Sequence, residues 1–376
     1  MVQKSLAEGL ALPNDPAVYL IFRDAISGLE YIRNCGDLWK KGLYALLHAY
    51  QTHVFVDFQE VHDTPTGQYA RLNTYLNGRG VPNINEALKE LILAPIHTPL
   101  RMIMSGPAFR WLLEVRPKGP DSKLDPHFQQ QIRQKIVDLL EGIRYVTEGT
   151  GDVEAIADEM CATLTAVLTL PQTGLPKGLM ALLPEGLRRD APAAWSTLFG
   201  WLLTRTLGKI VDPIDYAGIS QSWIDEWLIG RHLEDALYEL GVEGDAVRQA
   251  VATVKLMIGH RRWLDAGKAP SGTAFEPYRV LHAALEEQEV QAYLQINRYQ
   301  GTLWFNREAF ERFTRWLLAV ATVESLAAGG KPRAHLKAVQ TLVKQLLQAE
   351  AASDYQVEKL LDAAQSSIEE HKVQRT

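Results

Sequence analysis

Apolar residues recur along most of the chain at the spacing of one helix face. Phe310, Phe313, Leu317, Val320 and Ala321 form such a stripe, and Asn306 just before it suits an N-cap. Residues 127–148 and 152–169 carry two more helical patterns. Asp152 is placed to cap the second, and Glu154, Asp158 and Glu159 load its first turns. Val18, Ile21, Phe22, Ala25, Ile26 and Leu29 repeat at helical spacing after Asn14-Asp15-Pro16, which predicts a helix there. A second helix is expected from Asp37 through Tyr50. Alternation and β-branched density appear together in one run, His53 to Asp63, read as a lone extended segment or small hairpin.

Breaks in the pattern divide the chain. Thr64-Pro65-Thr66-Gly67 reads as a turn, and Asn77-Gly78 as a helix stop, with Asn83 or Asn85 capping the next helix. Pro95, Pro99 and Pro107 are expected to cut the following stretch into short pieces. Val115 to Pro126 reads as a linker, Leu170 to Ala194 as a packed loop with a short helix at 178–183, and Asp265 to Thr273 as a second linker. Helical patterns continue over 194–264, breaking at Asp212-Pro213 and resuming from Ser220, and again from about Pro277 to Val290. The C-terminal tail is expected to split at Gly329-Gly330-Lys331-Pro332 and at Ala352-Ser353-Asp354, and to fray from Glu369. The expected fold is all-α, with two or three packed helical lobes (1–116, 127–264 and 276–376) and at most a small β element near residues 53–61.

Composition adds limits rather than an activity. The 376 residues are 47% hydrophobic and 22% charged, enough apolar material for a sizeable core. Lys+Arg number 39 against Asp+Glu 45, a net charge of −6, which argues against a general nucleic-acid binder. Two cysteines, Cys35 and Cys161, lie far apart and match no disulfide framework or zinc spacing. The N-terminus lacks a signal-peptide core and no uncharged apolar run reaches membrane-spanning length, so a cytoplasmic location without membrane attachment is the default expectation. No motif for a cofactor or a metal is present, and neither is expected. Gly78-x-Gly80 lacks the rest of a phosphate loop.

The chemically densest stretch runs from Tyr293 to Glu324. Asn297, Arg298, Tyr299, Trp304, Asn306 and Glu308 crowd around Gly301, a residue suited to a turn. Aromatic faces beside amide and guanidinium groups suit a sugar, a nucleobase or a protein partner; equally, Trp304 and Phe305 suit core anchors and Asn306 a cap. A second candidate set is Asp57, Glu60, His62 and Asp63, with His53 nearby, whose types suit metal or acid–base work but whose spacing matches no motif. Trp223 and Trp227 share a helix face with Asp225 and Glu226 pointing elsewhere, and His260-Arg261-Arg262-Trp263 reads as a cationic cluster at a helix C-terminus. No catalytic residue is assigned.

Four phrases carry a resemblance. They are Leu38-Trp39-Lys40-Lys41-Gly42-Leu43-Tyr44, Val54-Phe55-Val56-Asp57-Phe58, Leu76-Asn77-Gly78-Arg79-Gly80-Val81-Pro82, and the run Asn297-Arg298-Tyr299 through Leu303-Trp304-Phe305-Asn306-Arg307-Glu308-Ala309-Phe310. Together they resemble the helical region that follows the catalytic barrel in certain long bacterial α-amylase-superfamily proteins. The barrel's own Asp, Glu and second Asp motifs are missing here. The resemblance therefore implies a context of α-glucan metabolism and an accessory or scaffolding role, with an α-amylase-like catalytic domain or an α-glucan as partner. It implies an apolar patch where the barrel would dock, with self-association as a consequence. Two alternatives stand beside it. One is a sugar-active enzyme with a helical site, pairing Glu308 with Asp57 or Glu60. The other is a protein-interaction scaffold.

Overall fold

The computed structural model describes residues 4–117, 123–170, 174–270, 274–329 and 333–373, with side chains as far as residue 366. The protein is mostly helical, with two small antiparallel sheets among the described residues. It divides into two compact units, Met1–His97 and Thr98–Thr376.

The first unit is built on a three-stranded sheet. Strands β1 (Val18–Asp24), β2 (Glu30–Asn34) and β3 (Phe55–His62) lie in the order β2-β1-β3, all antiparallel. This corrects the helix expected over Val18–Leu29. The run Val18-Tyr19-Leu20-Ile21-Phe22 is the central strand and is covered on both faces, so its apolar residues do not alternate and mimic a helical stripe. One face packs Leu20, Phe22 and Phe55 with Cys35 and Leu38, and the other packs Tyr19, Ile21 and Val61 with Leu72 and Ile84. The β element thus extends well beyond residues 53–61. The helix expected from Asp37 through Tyr50 is also corrected: it spans Cys35–Lys41 and stops at Gly42, whose φ of 72° breaks the helical geometry. Residues 43–54 run on without a helix.

Other local expectations hold. Helix Gln68–Leu76 ends on left-handed Asn77, and Asn83 accepts a hydrogen bond from the Glu86 amide in the first turn of helix Ile84–Arg101. That helix continues through Pro95 and Pro99, so the expected breaks there are corrected; Pro107 instead opens helix Gly106–Glu114.

In the second unit, helices Pro126–Thr147 and Val153–Thr169 match their expected spans, and the Asp152 carboxylate accepts from the Ala155 amide. Helix Pro192–Thr204 is buried at every position from Trp195 to Thr204 and packs against helices Val153–Thr169, Ile229–Glu239 and Asp245–Met257. An apolar sequence on all sides of a helix places it inside. Helix Arg307–Ala327 packs against Val153–Thr169, Asp245–Met257 and Arg333–Ala352. Helices drawn from 127–264 and 276–376 thus share one packed body.

Short helices Lys177–Met180 and Glu185–Arg188 interrupt the expected loop. The helix expected over Pro277 to Val290 is broken in two, Pro277–Leu285 and Gln288–Tyr293. The last helix runs from Val357 to Val373, past the expected fraying point at Glu369. Parts of the expected linkers (118–122 and 271–273), of the packed loop (171–173) and of the expected split (330–332) lie outside the described residues.

Candidate functional site

The crowded stretch before helix Arg307–Ala327 is a β-hairpin. Strand β4 (Asn297–Tyr299) pairs with β5 (Thr302–Trp304), setting Asn297 opposite Trp304. Gln300 and Gly301 make the turn with φ of 48° and 85°, the double positive φ that matches the twist of a tight hairpin. Asn297, Arg298 and Tyr299 are exposed, with Tyr299 63% accessible. Trp304 is half-buried, and its indole N–H has no hydrogen-bond partner among the described residues. Phe305 is buried against Phe310, and its amide donates to the Tyr355 carbonyl at 3.0 Å, tying the hairpin to the turn before the last helix. Asn306 caps the helix, accepting from the Ala309 amide at 2.9 Å, and its Nδ2 donates to Gln295 Oε1 at 3.1 Å. Glu308 is exposed in the first turn. Asn297, Tyr299 and Trp304 thus sit on one small ribbon, with Arg298 beside them, while Asn306 and Glu308 belong to the helix start.

The ionisable residues around β3 separate into structural pairs. His53 Nδ1 lies 2.8 Å from Asp24 Oδ2; Asp24 is fully buried and also accepts from Ser27 Oγ and from the Ile26 and Val54 amides. Those donors, His53 foremost, hold the Asp24 carboxyl well below the usual carboxylate range. Asp63 accepts from the Tyr69 and Ala70 amides and so fixes the start of helix Gln68–Leu76. Asp57 pairs with Arg23, while Glu60 and His62 are exposed. Asp57 and Glu60 belong to the first unit and Glu308 to the second. Among the described residues no three His, Cys, Asp or Glu side chains gather closely enough to hold a metal ion.

Trp223 and Trp227 stack with ring centres 3.8 Å apart, Asp225 pairs with Lys255 at 2.6 Å, and Glu226 is exposed. His260-Arg261-Arg262-Trp263 opens helix His260–Ala266 rather than closing one, a correction to its expected place. Its charges meet acids from elsewhere in the chain: His260 and Arg261 reach Glu324, and Arg262 reaches Glu287.

Glu324 is the centre of a buried ion network that local spacing did not reveal. Its carboxylate accepts from Arg205 Nη1 at 2.7 Å and from Arg261 Nε at 2.9 Å, and faces His260 Nε2 at 3.0 Å. Arg205 also donates to Glu159 and Thr163, and Lys209 donates to Glu159 at 2.5 Å. Burial alone would raise the Glu324 carboxyl, but the surrounding His260, Arg205 and Arg261 charges hold it far below its ordinary value. Burial would likewise raise Glu159, yet Lys209 and Arg205 bring it down. Both acids are therefore ionised and surrounded by donors, the opposite of a carboxyl poised to give up a proton. The available signal was a charge inside an apolar run: Arg205 follows Phe199–Leu203, and Glu324 follows Leu317–Val323.

Two larger concavities flank these helices. One, of about 420 Å³, is a mostly apolar groove lined by Phe128, Ile132, Cys161 and Leu164. The other, of about 370 Å³, is lined by Asp152, Glu159, Lys209 and Pro213. Comparison with protein-family models, with curated proteins and with solved structures found no match for this chain.

Proposed function

We propose that the chain is a non-catalytic helical module that docks beside an α-amylase-like catalytic domain in α-glucan metabolism. The observation that carries this reading is the segment between helix Cys35–Lys41 and strand β3. There Tyr44 is 79% exposed, Leu46 59%, Leu47 57% and Tyr50 fully so. Fully covering a leucine side chain gains about 1.5–3 kcal/mol, so four exposed leucine and tyrosine side chains within seven residues support a contact role for this segment. The catalytic partner itself comes from the sequence resemblance. The engaged state of Asp24, Asp63, Glu159 and Glu324 adds support, because a glycosidase needs two acids free to face a substrate.

The test is a titration of the chain into a purified α-amylase-like catalytic domain, followed by calorimetry, with Leu46→Glu/Leu47→Glu as the variant. Saturable binding by the wild type that the variant loses, at unchanged circular dichroism, supports the docking role. Self-association lost in the variant, with no binding of the catalytic domain, replaces it with an oligomerisation scaffold. Release of reducing sugar from soluble α-glucan by the isolated chain would overturn the non-catalytic assignment.

A further inference from the structure

We propose that a polar cavity on the sheet of the first unit binds one neutral, hydroxylated ring, such as a single sugar residue. The proposal concerns the isolated chain and does not rest on the docking segment.

The cavity lies beside a bulge in β3. Ile21 pairs with Gln59 and Arg23 with Val56, so Asp57 and Phe58 together oppose Phe22 alone. Asp57 takes a φ of 56°, a left-handed conformation that a non-glycine side chain adopts at a cost of about 1–2 kcal/mol. The extra residue shifts the alternation by one. Phe55 packs with Phe22 on one face, while Asp57, Gln59 and Val61 all line the cavity on the other.

The lining is mixed in a way that selects the ligand. Arg23, Asp57, Gln59 and Asn85 supply donors and acceptors, and Tyr69 and Val61 supply apolar surface. Arg23 sends both of its hydrogen bonds to Asp57 Oδ2, from Nε at 2.9 Å and Nη2 at 2.5 Å, which leaves Oδ1 as an open acceptor. The Gln59 and Asn85 side-chain amides make no hydrogen bond within the protein among the described residues, and each offers both donors and an acceptor. Glu30 also lines the cavity and uses Oε2 to accept from the Ile84 amide at 2.7 Å.

One cation against two carboxylates disfavours an anionic ligand. Hydroxyl groups, each a donor and an acceptor, satisfy amides and carboxylate alike. Tyr69 provides an aromatic face for the apolar side of a sugar. The volume of about 170 Å³ lies below the 300–1,000 Å³ of drug-sized pockets, so it holds one ring and leaves any attached chain in solvent.

The test is calorimetric titration of the full chain with maltotriose, repeated with adenosine, for the wild type and the Gln59→Ala/Asn85→Ala variant. Both substituted residues are exposed, so folding is expected to be unaffected, and the thermal midpoint checks it. One saturable maltotriose site, weakened at least about tenfold in the double variant, is the expected result. Tyr299→Ala and Leu46→Glu/Leu47→Glu should both leave it unchanged, which separates this site from the hairpin and from the docking surface. Absence of saturation, equal affinity in the double variant, loss in Tyr299→Ala, or preference for adenosine would each overturn the proposal.

Discussion

His260 Nε2 lies 3.0 Å from Glu324 Oε2, while its Nδ1 lies 2.7 Å from the Met257 carbonyl oxygen. A carbonyl oxygen only accepts, so Nδ1 carries a proton. Glu324 is thus shared between this ring and two guanidinium groups. Removing the acid leaves the Arg205 and Arg261 guanidinium groups and the His260 ring without their shared acceptor.

Replacing Glu324 with Gln is expected to cost about 3–5 kcal/mol, because an uncompensated buried charge is the costliest product of breaking such a pair. Urea unfolding measures it. The pH dependence has a definite sign. The folded-state carboxyl sits below its unfolded value, so the acid's contribution is present above the ordinary Glu value near about 4.3 and is lost as pH falls through the folded value. The gap between wild type and variant should be widest at neutral pH and should close in acid. A gap that stays constant down to pH 2 would count against the ion network.

Asn306→Ala should lower stability by about 1 kcal/mol, the usual worth of a side-chain cap, whereas Asn306→Asp should restore it. Thermal melts of the two variants decide the matter. Equal losses would show that Asn306 acts through its Nδ2 contact with Gln295 instead.

Gly151→Ala should cost about 1–3 kcal/mol, since the added methyl would stand 2.4 Å from the Lys209 carbonyl oxygen and 2.6 Å from the Ile210 Cα, neither of which can swing aside. Gly9→Ala meets nothing within 4 Å and is expected to be neutral or slightly stabilising. Chemical denaturation of both variants side by side checks the contrast.

Burial pushes the thiols of Cys35 and Cys161 up to about 11. Iodoacetamide at pH 8 should label both slowly in the native protein and quickly in urea, with native labelling rising towards pH 11. Rapid native labelling at pH 8 would contradict the packing of helices Cys35–Lys41 and Val153–Thr169.

Local chemistry was the readable part of the fold. Asp152 and Asn306 announced their helices because a cap involves amides two or three residues away. Gly301 announced its turn for the same reason. Val18–Phe22 misled because a strand buried on both faces shows no alternation, and its two partners lie elsewhere in the chain. Pro95 and Pro99 misled because a proline removes only one donor each, and the surrounding helix tolerates the loss.

The sequence by itself therefore determined a mostly helical protein, the starts of its main helices and the residues crowded around Gly301, all set by neighbours along the chain. Only the tertiary structure decided the rest. Arg205 meets Glu324 across 119 residues and Glu159 across 46. The bulge at Asp57 exists only because β3 pairs out of step with β1. Hydrogen bonds within a turn are fixed by backbone geometry at short range, whereas charge pairing and strand register depend on which distant segments the core brings together.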